Sequence, residues 1–224
     1  MKKLHQIYIS DNKREPSEYV ISQMTKLKSL YSDYDYQLYD DDMCKDVIKS
    51  LFGQKAVSLY DSLIPYAFKA DFARYCILYK YGGCYFDVSI CPEFKIECEE
   101  SPILYKAPVG SCDGLPAIDN GVMLFSTNNH KFLFDAIHSC LKNIMNKQYD
   151  IHPLELTGPV MLGKLNEYDI TFGQSKYITP EQKGAFLNDT LHWLYKPNGT
   201  YLHTLKCVGT NSYEELWLDK KVFK

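Results

Sequence analysis

Residues 70–90 read ADFARYCILYKYGGCYFDVSI, and this stretch combines the clearest fold signal with the residues most suited to chemistry. Its apolar pattern predicts a helix from Ala67 to Tyr81 that follows Pro65, because proline is favoured where helices start. The pair Gly82-Gly83 ends this helix, since glycine readily adopts the left-handed conformations of helix C-termini. The alternation that follows predicts a strand from Cys84 to Ile90. A helix that leads directly into a strand is typical of an α/β fold.

The spacing of the polar residues in this stretch brings several of them together. Asp71 and Arg74 are three residues apart, so both side chains leave the same face of the predicted helix. In the predicted strand the apolar residues face the core, and we therefore expect Asp87 and Ser89 to point together the other way. The end of a strand in a parallel sheet lies at the carboxyl edge, where open α/β sheets bind ligands.

Such a set of side chains suits a nucleotide-sugar site. A carboxylate at a strand end can help to hold a divalent cation, which takes up the charge of a departing diphosphate. Arg74 can donate hydrogen bonds to sugar hydroxyls and Asp71 can accept them. An ion pair on a helix surface beside an ordinary aspartate at a strand end has the same spacing and is common, so the spacing alone does not decide between the two.

The rest of the chain alternates strands and helices. We expect one domain over residues 1–224, an α/β fold with a largely parallel sheet flanked by helices, and short strands with many turns in the last fifty residues. The predicted strands are Leu4–Ile9, Tyr36–Tyr39 and Gly121–Phe125, and further helices start at Pro16 and at about His130, the second ending near Met145.

Composition excludes several classes of protein. Lys and Arg total 25 against 28 for Asp and Glu, a net charge of −3, so we expect no nucleic-acid partner. The chain has no run of 18 apolar residues and no signal-peptide pattern, and we expect a cytoplasmic protein that can associate peripherally with a membrane. Eight cysteines without a Cys-x-x-Cys pair favour free thiols, with a zinc site on Cys84, Cys91 and Cys98 as an alternative.

Three consecutive aspartates, Asp40 to Asp42, follow the second predicted strand. The simplest interpretation is an N-cap and first-turn charge for the helix that contains Val47, Ile48, Leu51 and Phe52. A metal site built from the three carboxylates is the alternative.

The string Asp-x-x-Arg-Tyr-x-x-Leu-Tyr-x-Tyr-Gly-Gly-x-Tyr-x-Asp, from Asp71 to Asp87, resembles the signature of the DXD-containing glycosyltransferases of family 32. Four further segments resemble landmarks of that family in the same order along the chain. They are an opening strand at Leu4–Ile9, an Asn-containing strand at Asp119–Met123, the turn Thr157–Pro159 and a C-terminal Tyr-x-x-Leu-Trp at Tyr213–Trp217.

The resemblance implies a GT-A (Rossmann-like) fold with a mostly parallel central sheet flanked by helices. It also implies a retaining transferase that moves a hexose from a nucleoside-diphosphate sugar to a hydroxyl of a glycan or glycolipid. The preferred donor is a UDP-sugar, with a GDP-sugar as the alternative. The expected pathway is the synthesis of surface polysaccharides or other glycans. The catalytic residues that it implies are Asp71, Arg74, Asp87 and Asn120, of which Asn120 lies near the donor sugar or the acceptor. Tyr85 joins Asp71, Arg74 and Asp87 in binding the donor, and Gln6 and Ile7 contact the base mainly through backbone groups. Trp217 is assigned either to a lid over the diphosphate or to the packed core.

The metal ligands that the resemblance implies are Asp87, the residue at position 89, and His203, for which a core or solvated histidine is the alternative. The family has a second aspartate in its motif, and this chain has Ser89 at that position. A serine hydroxyl is a neutral and weaker ligand for Mn²⁺ or Mg²⁺. Three outcomes follow: an enzyme with weak or indirect metal binding, a metal-independent enzyme, or a nucleotide-sugar-binding homologue with reduced or lost catalysis.

Overall fold

A mixed β-sheet with helices on both faces forms the centre of the molecule. The computed structural model describes residues 2–97, 101–108, 111–165, 168–179, 182–194 and 212–224. The strands are β1 (Lys3–Ile7), β2 (Asp35–Tyr39), β3 (Gly83–Phe86), β4 (Cys91–Pro92), β5 (Ile103–Lys106), β6 (Ile118–Phe125), β7 (Thr171–Thr179), β8 (Gln182–Leu187) and β9 (Thr190–Leu194). The helices are α1 (Glu18–Leu30), α2 (Asp41–Ser62), α3 (Tyr66–Tyr81), α4 (Lys131–Met145), α5 (Pro159–Gly163) and α6 (Tyr213–Leu218).

The described strands are ordered β2-β1-β3-β6-β5-β7-β8-β9-β4. The pairs β1–β2, β1–β3 and β5–β7 are parallel, whereas β3–β6, β5–β6, β7–β8, β8–β9 and β4–β9 are antiparallel. The prediction of a largely parallel sheet is therefore wrong beyond the first three strands. Helical crossovers join β1, β2 and β3 and make them parallel. Only two residues separate β7 from β8 and β8 from β9, and strands joined by so short a connection are antiparallel neighbours.

Helix α3 and strand β3 form as the sequence predicts, and two glycines join them. Pro65 is the N-cap of α3, and Gly82, with φ of 62°, ends it. Gly83 has φ of 94°, and a Cβ atom there would lie 2.5 Å from the Lys3 carbonyl oxygen. No side chain fits at Gly83, so glycine allows the turn to bring β3 directly beside β1.

Both faces of the sheet are buried. Tyr85 packs in the core between the sheet and helices α2 to α6, whereas Cys84 and Phe86 pack in a second core that includes Leu27 and Tyr31 of the α1 region. The expectation that apolar residues face one core and the alternate residues face away from it is therefore only half right. Tyr85 is fully buried, and Asp87, two residues later, continues the face that α2 to α6 cover.

The aspartate run after β2 caps a helix. The Met43 N–H donates to Asp40 Oδ1 over 2.9 Å, and Lys45 forms an ion pair with Asp41 at 2.5 Å. Within the described residues no group of three or more His, Cys, Asp or Glu is placed to hold a metal ion. The capping interpretation is confirmed, and the three-aspartate metal site is not supported.

The cysteines whose side chains are described carry free thiols, including Cys44, Cys76, Cys84 and Cys140 in the core. Cys98 of the alternative zinc set lies outside the described residues. Among the helices of the described ranges, none combines the length and apolarity needed to cross a bilayer.

Candidate active site

A buried guanidinium connects α3 to the ends of β3 and β6. Arg74 Nη2 lies 3.1 Å from Asp71 Oδ1, and Nη1 lies 3.3 Å from Asp87 Oδ1. Nη1 also donates to the Asn120 carbonyl over 2.6 Å, and the guanidinium carbon lies 4.7 Å from the centre of the Tyr85 ring. Arg74 is only 4% exposed, so the alternative of a surface ion pair is wrong for this pair.

The carboxylate of Asp71 is fully enclosed by donors. Asn120 Nδ2 donates to its Oδ1 over 2.8 Å, and the Thr157 hydroxyl donates to its Oδ2 over 3.0 Å. Burial raises the pKa of Asp71 to about 6, although Arg74 and these two hydrogen bonds favour the ionised form. The Tyr75 hydroxyl accepts from Asn120 and donates to the Thr157 carbonyl, each over 2.8 Å, and so closes the network.

Asp87 is the member of this network that reaches solvent. Its side chain is 39% exposed, whereas those of Arg74 and Asp71 are 5% and 8% exposed. The Tyr85 hydroxyl donates to Asp87 Oδ1 over 2.7 Å, and the Asp87 N–H donates to the Gly121 carbonyl over 2.7 Å. Asp87 is thus held at the end of β3 with one edge of its carboxylate open to a ligand.

Strand β1 adds residues beside this position. Gln6 Nε2 donates to the Asp87 carbonyl over 3.5 Å, and Gln6 Oε1 accepts from the Tyr36 hydroxyl over 3.0 Å. Ile7 is buried in the core between the sheet and helices α2 to α6. The structure therefore brings Gln6 to the site and places the Ile7 side chain in the packing beneath it.

Three of the predicted site residues lie apart from this network or outside the described residues. The strand predicted to reach Ile90 ends at Phe86, and Ser89 lies in a turn in which the Ile90 N–H donates to the Asp87 carbonyl over 3.0 Å. Strand alternation therefore does not place Ser89 beside the Asp87 carboxylate. Trp217 is buried against Tyr149, with ring centres 4.8 Å apart, which is the packed arrangement. His203 lies outside the described residues.

Sequence reasoning missed two side chains of the network. Tyr75 lies one helical turn after Asp71, so the same spacing argument that paired Asp71 with Arg74 would have found it. Thr157 was assigned only to a turn, and its contact with Asp71 spans 86 residues. No local pattern indicates that contact.

The oxygen atoms around Asp87 fit a divalent cation. A Cβ atom at Gly121 would lie 3.0 Å from Asp87 Oδ2 and 3.3 Å from Asp119 Oδ1. The carboxylates of Asp87 and Asp119 therefore both approach the space beside Gly121. Mg²⁺ in proteins is commonly held by one or two carboxylates together with substrate phosphates, and it keeps several waters. The two carboxylates therefore fit a hard cation that is bound together with substrate phosphates.

Comparison with known proteins agrees with this geometry. Residues 17–107, which include Asp71, Arg74 and Asp87, match the family described as the glycosyltransferase sugar-binding region containing DXD motif. Residues 17–107 thus carry the sugar-binding region of the DXD-containing glycosyltransferases. The family resemblance stated from the motifs is thereby confirmed.

Relatives of this glycosyltransferase region include an uncharacterized glycosyltransferase of Acanthamoeba polyphaga mimivirus, 37% identical over 87 residues, which are 39% of this chain and 34% of the relative. Inositol phosphoceramide mannosyltransferase 3 of Schizosaccharomyces pombe is 29% identical over 149 residues, which are 66% of this chain and 40% of the relative. The chain therefore spans less than half the length of these two relatives.

The solved structure of the PaToxG glycosyltransferase is similar to this fold, with a TM-score of 0.57 and 16% sequence identity. The similarity covers 73% of this chain and 67% of that one. The likeness shows a shared mixed α/β fold, with a sheet flanked by helices.

Proposed function

We propose that this chain is a retaining hexosyltransferase of the GT-A type, which transfers a sugar from a nucleoside diphosphate to a hydroxyl of a glycan or glycolipid. The observation that carries the proposal is the Asp71–Arg74–Asp87–Asn120 network. It presents one half-exposed carboxylate at a strand end, inside the region that matches the sugar-binding family. Its buried members cannot serve as a surface ion pair.

In this proposal Asp87 touches the donor, and the residues beneath it fix its orientation. Arg74 and the Tyr85 hydroxyl hold Oδ1, so the carboxylate does not have to reorganise when the donor binds. Asp71 and the Asn120 carbonyl hold Arg74 in turn, and the Thr157 hydroxyl holds Asp71. Gln6 and the backbone at Ile7 lie on the side of Asp87 that we assign to the nucleotide.

The reaction breaks the bond between the anomeric carbon and the diphosphate oxygen and forms a bond to the acceptor oxygen on the same face of the sugar. The acceptor proton passes to the leaving diphosphate. A divalent cation, Mn²⁺ or Mg²⁺, would stabilise the negative charge on that diphosphate when bound. Arg74 contributes fixed positive charge at this end of the sheet.

The names of the relatives favour mannose as the sugar and a lipid-linked acceptor. The two fission-yeast relatives are named inositol phosphoceramide mannosyltransferases 3 and 1, and they are 29% and 26% identical to this chain. We therefore place GDP-mannose beside the UDP-hexoses as candidate donors, and inositol phosphoceramide beside oligosaccharides as candidate acceptors.

The test is the release of nucleoside diphosphate from UDP- and GDP-hexoses with Mn²⁺ and each acceptor. Asp87→Asn keeps the size of the side chain, and Asp61→Asn is the matched control, because the Asp61 side chain is 41% exposed and lies on α2. We expect turnover to fall about a hundredfold or more in Asp87→Asn and to stay unchanged in Asp61→Asn.

Equal turnover in the two variants would remove Asp87 from the mechanism. Ser89 supports a second candidate, a nucleotide-sugar-binding homologue without transfer. Specific donor binding without turnover in the wild type would establish that candidate instead.

A further inference from the structure

We propose that Asp119 supplies the second carboxylate for the donor's divalent cation, in the role that Ser89 cannot fill. The proposal rests on the proposed function and concerns the same site. A DXD motif would supply this second carboxylate from position 89. In this chain the motif reads Asp-Val-Ser at residues 87–89, and the proposal assigns the role to Asp119 instead.

Backbone pairing sets the distance between the two carboxylates. Strands β3 and β6 pair antiparallel up to Phe86 and Val122, and the hydrogen bond from the Asp87 N–H to the Gly121 carbonyl continues the pairing by one residue. Asp87 therefore lies opposite Gly121, two residues from Asp119. Side chains two apart on a strand share a face, so Asp119 lies on the face of β6 to which Gly121 belongs.

Gly121 leaves room for the two carboxylates to approach each other. A Cβ atom at this position would lie 3.0 Å from Asp87 Oδ2 and 3.3 Å from Asp119 Oδ1. The two oxygens are thus no further apart than the sum of these distances. A cation with oxygen ligands at about 2.0 to 2.6 Å can contact both after a small side-chain adjustment.

The two oxygens of Asp87 have different surroundings. Oδ1 accepts from the Tyr85 hydroxyl and lies beside Arg74, whereas Oδ2 is the oxygen nearest to the Cβ position of Gly121. Asp119 is itself held in place, because its Oδ1 accepts from the Gly121 N–H over 3.0 Å. Arg74 thus orients Asp87 through one oxygen and leaves the other for a cation.

Charge explains why a second carboxylate is needed. A serine hydroxyl is neutral, and the affinity of hard-cation sites rises with the number of charged ligands. Asp71 cannot take this role, since its side chain is 8% exposed and both oxygens accept from Asn120 or Thr157. Asp119, in contrast, is only half-buried.

The experiment is a titration of the whole chain with Mn²⁺ alone, followed by the loss of the free-ion electron paramagnetic resonance signal. The proteins are the wild type, Asp119→Asn and the control Asp61→Asn. Asn keeps the acceptor for the Gly121 N–H, and thermal unfolding checks the fold of each variant. We expect Asp119→Asn to raise the Mn²⁺ dissociation constant about tenfold or more.

Mn²⁺ binding by Asp119→Asn equal to that of Asp61→Asn would overturn the proposal. Turnover separates this failure from that of the proposed function. A wild type that transfers sugar without binding Mn²⁺ would refute the carboxylate pair alone. A wild type that binds Mn²⁺ through Asp119 but releases no nucleoside diphosphate would refute transfer alone.

Discussion

Protonation of His5 should weaken the fold at the point that positions the active site. His5 is 1% exposed, and its Nε2–H donates to the Gly82 carbonyl over 2.9 Å, because a carbonyl can only accept. Nδ1 therefore accepts from the Tyr39 hydroxyl, 3.2 Å away. These two bonds tie β1 and β2 to the glycine turn that precedes β3 and Asp87.

The magnitude follows from the pKa of this imidazole. Burial lowers the pKa of His5 from 6.5 to about 4. The neutral ring is favoured in the folded state, so its contribution is complete above pH 6.5 and is lost as the pH falls towards 4. At ~1.36 kcal/mol per pKa unit the full loss is about 3.4 kcal/mol, of which about 2 kcal/mol is lost by pH 5.

Urea unfolding at pH 7.5, 6, 5 and 4.5 measures this loss. His5→Gln keeps one donor and one acceptor but does not titrate, and His138→Gln changes an exposed histidine as the control. We expect the free energy of unfolding of the wild type and of His138→Gln to fall about 2 kcal/mol more than that of His5→Gln between pH 7.5 and 5. Parallel pH profiles for all three proteins would refute the assignment of a buried neutral His5.

Three further substitutions test other parts of the account. Arg74→Met leaves Asp71 buried without its cation, and urea unfolding should show a loss of about 3 to 5 kcal/mol at pH 7.5. That loss should shrink at pH 5, because burial already raises the pKa of Asp71 to about 6 and protonation removes the uncompensated charge. An equal loss at both pH values would contradict the network. Gly121→Ala places a Cβ atom 3.0 Å from Asp87 Oδ2. It should lower turnover about ten- to a hundredfold with little change in Tm. Unchanged turnover would show that the position of the Asp87 carboxylate does not matter. Asp40→Ala removes an N-cap and should cost about 1 kcal/mol in thermal unfolding without affecting Mn²⁺ binding, whereas weaker Mn²⁺ binding would restore the three-aspartate metal site.

The helix–glycine–strand unit was predictable because its signals are local. Apolar periodicity marks α3, and the Gly82-Gly83 pair marks its end to within a residue. The Asp71–Arg74 spacing also correctly placed the pair on one face. Burial of that face was not predictable, since it depends on Asn120 and Thr157, which approach from β6 and from the turn before α5.

The errors arose where pairing between distant strands decides the structure. Apolar alternation continues through Val88 and Ile90, yet β3 ends at Phe86 and a turn follows Asp87. The antiparallel partner of β3 is β6, more than thirty residues later, and no local signal fixes that direction. For the same reason the approach of Asp119 to Asp87 is visible only in three dimensions.

The most direct test of the central claim, that the Asp87 network binds a nucleotide-sugar, is a thermal-shift panel. UDP- and GDP-sugars are each added with Mn²⁺ or with a chelator to the wild type, Asp87→Asn and Asp61→Asn. A ligand that binds only the folded state raises Tm. We predict that one nucleotide class raises the Tm of the wild type and of Asp61→Asn but not of Asp87→Asn, and that chelator reduces the shift. No shift with any donor, or the same shift in Asp87→Asn, would contradict the claim.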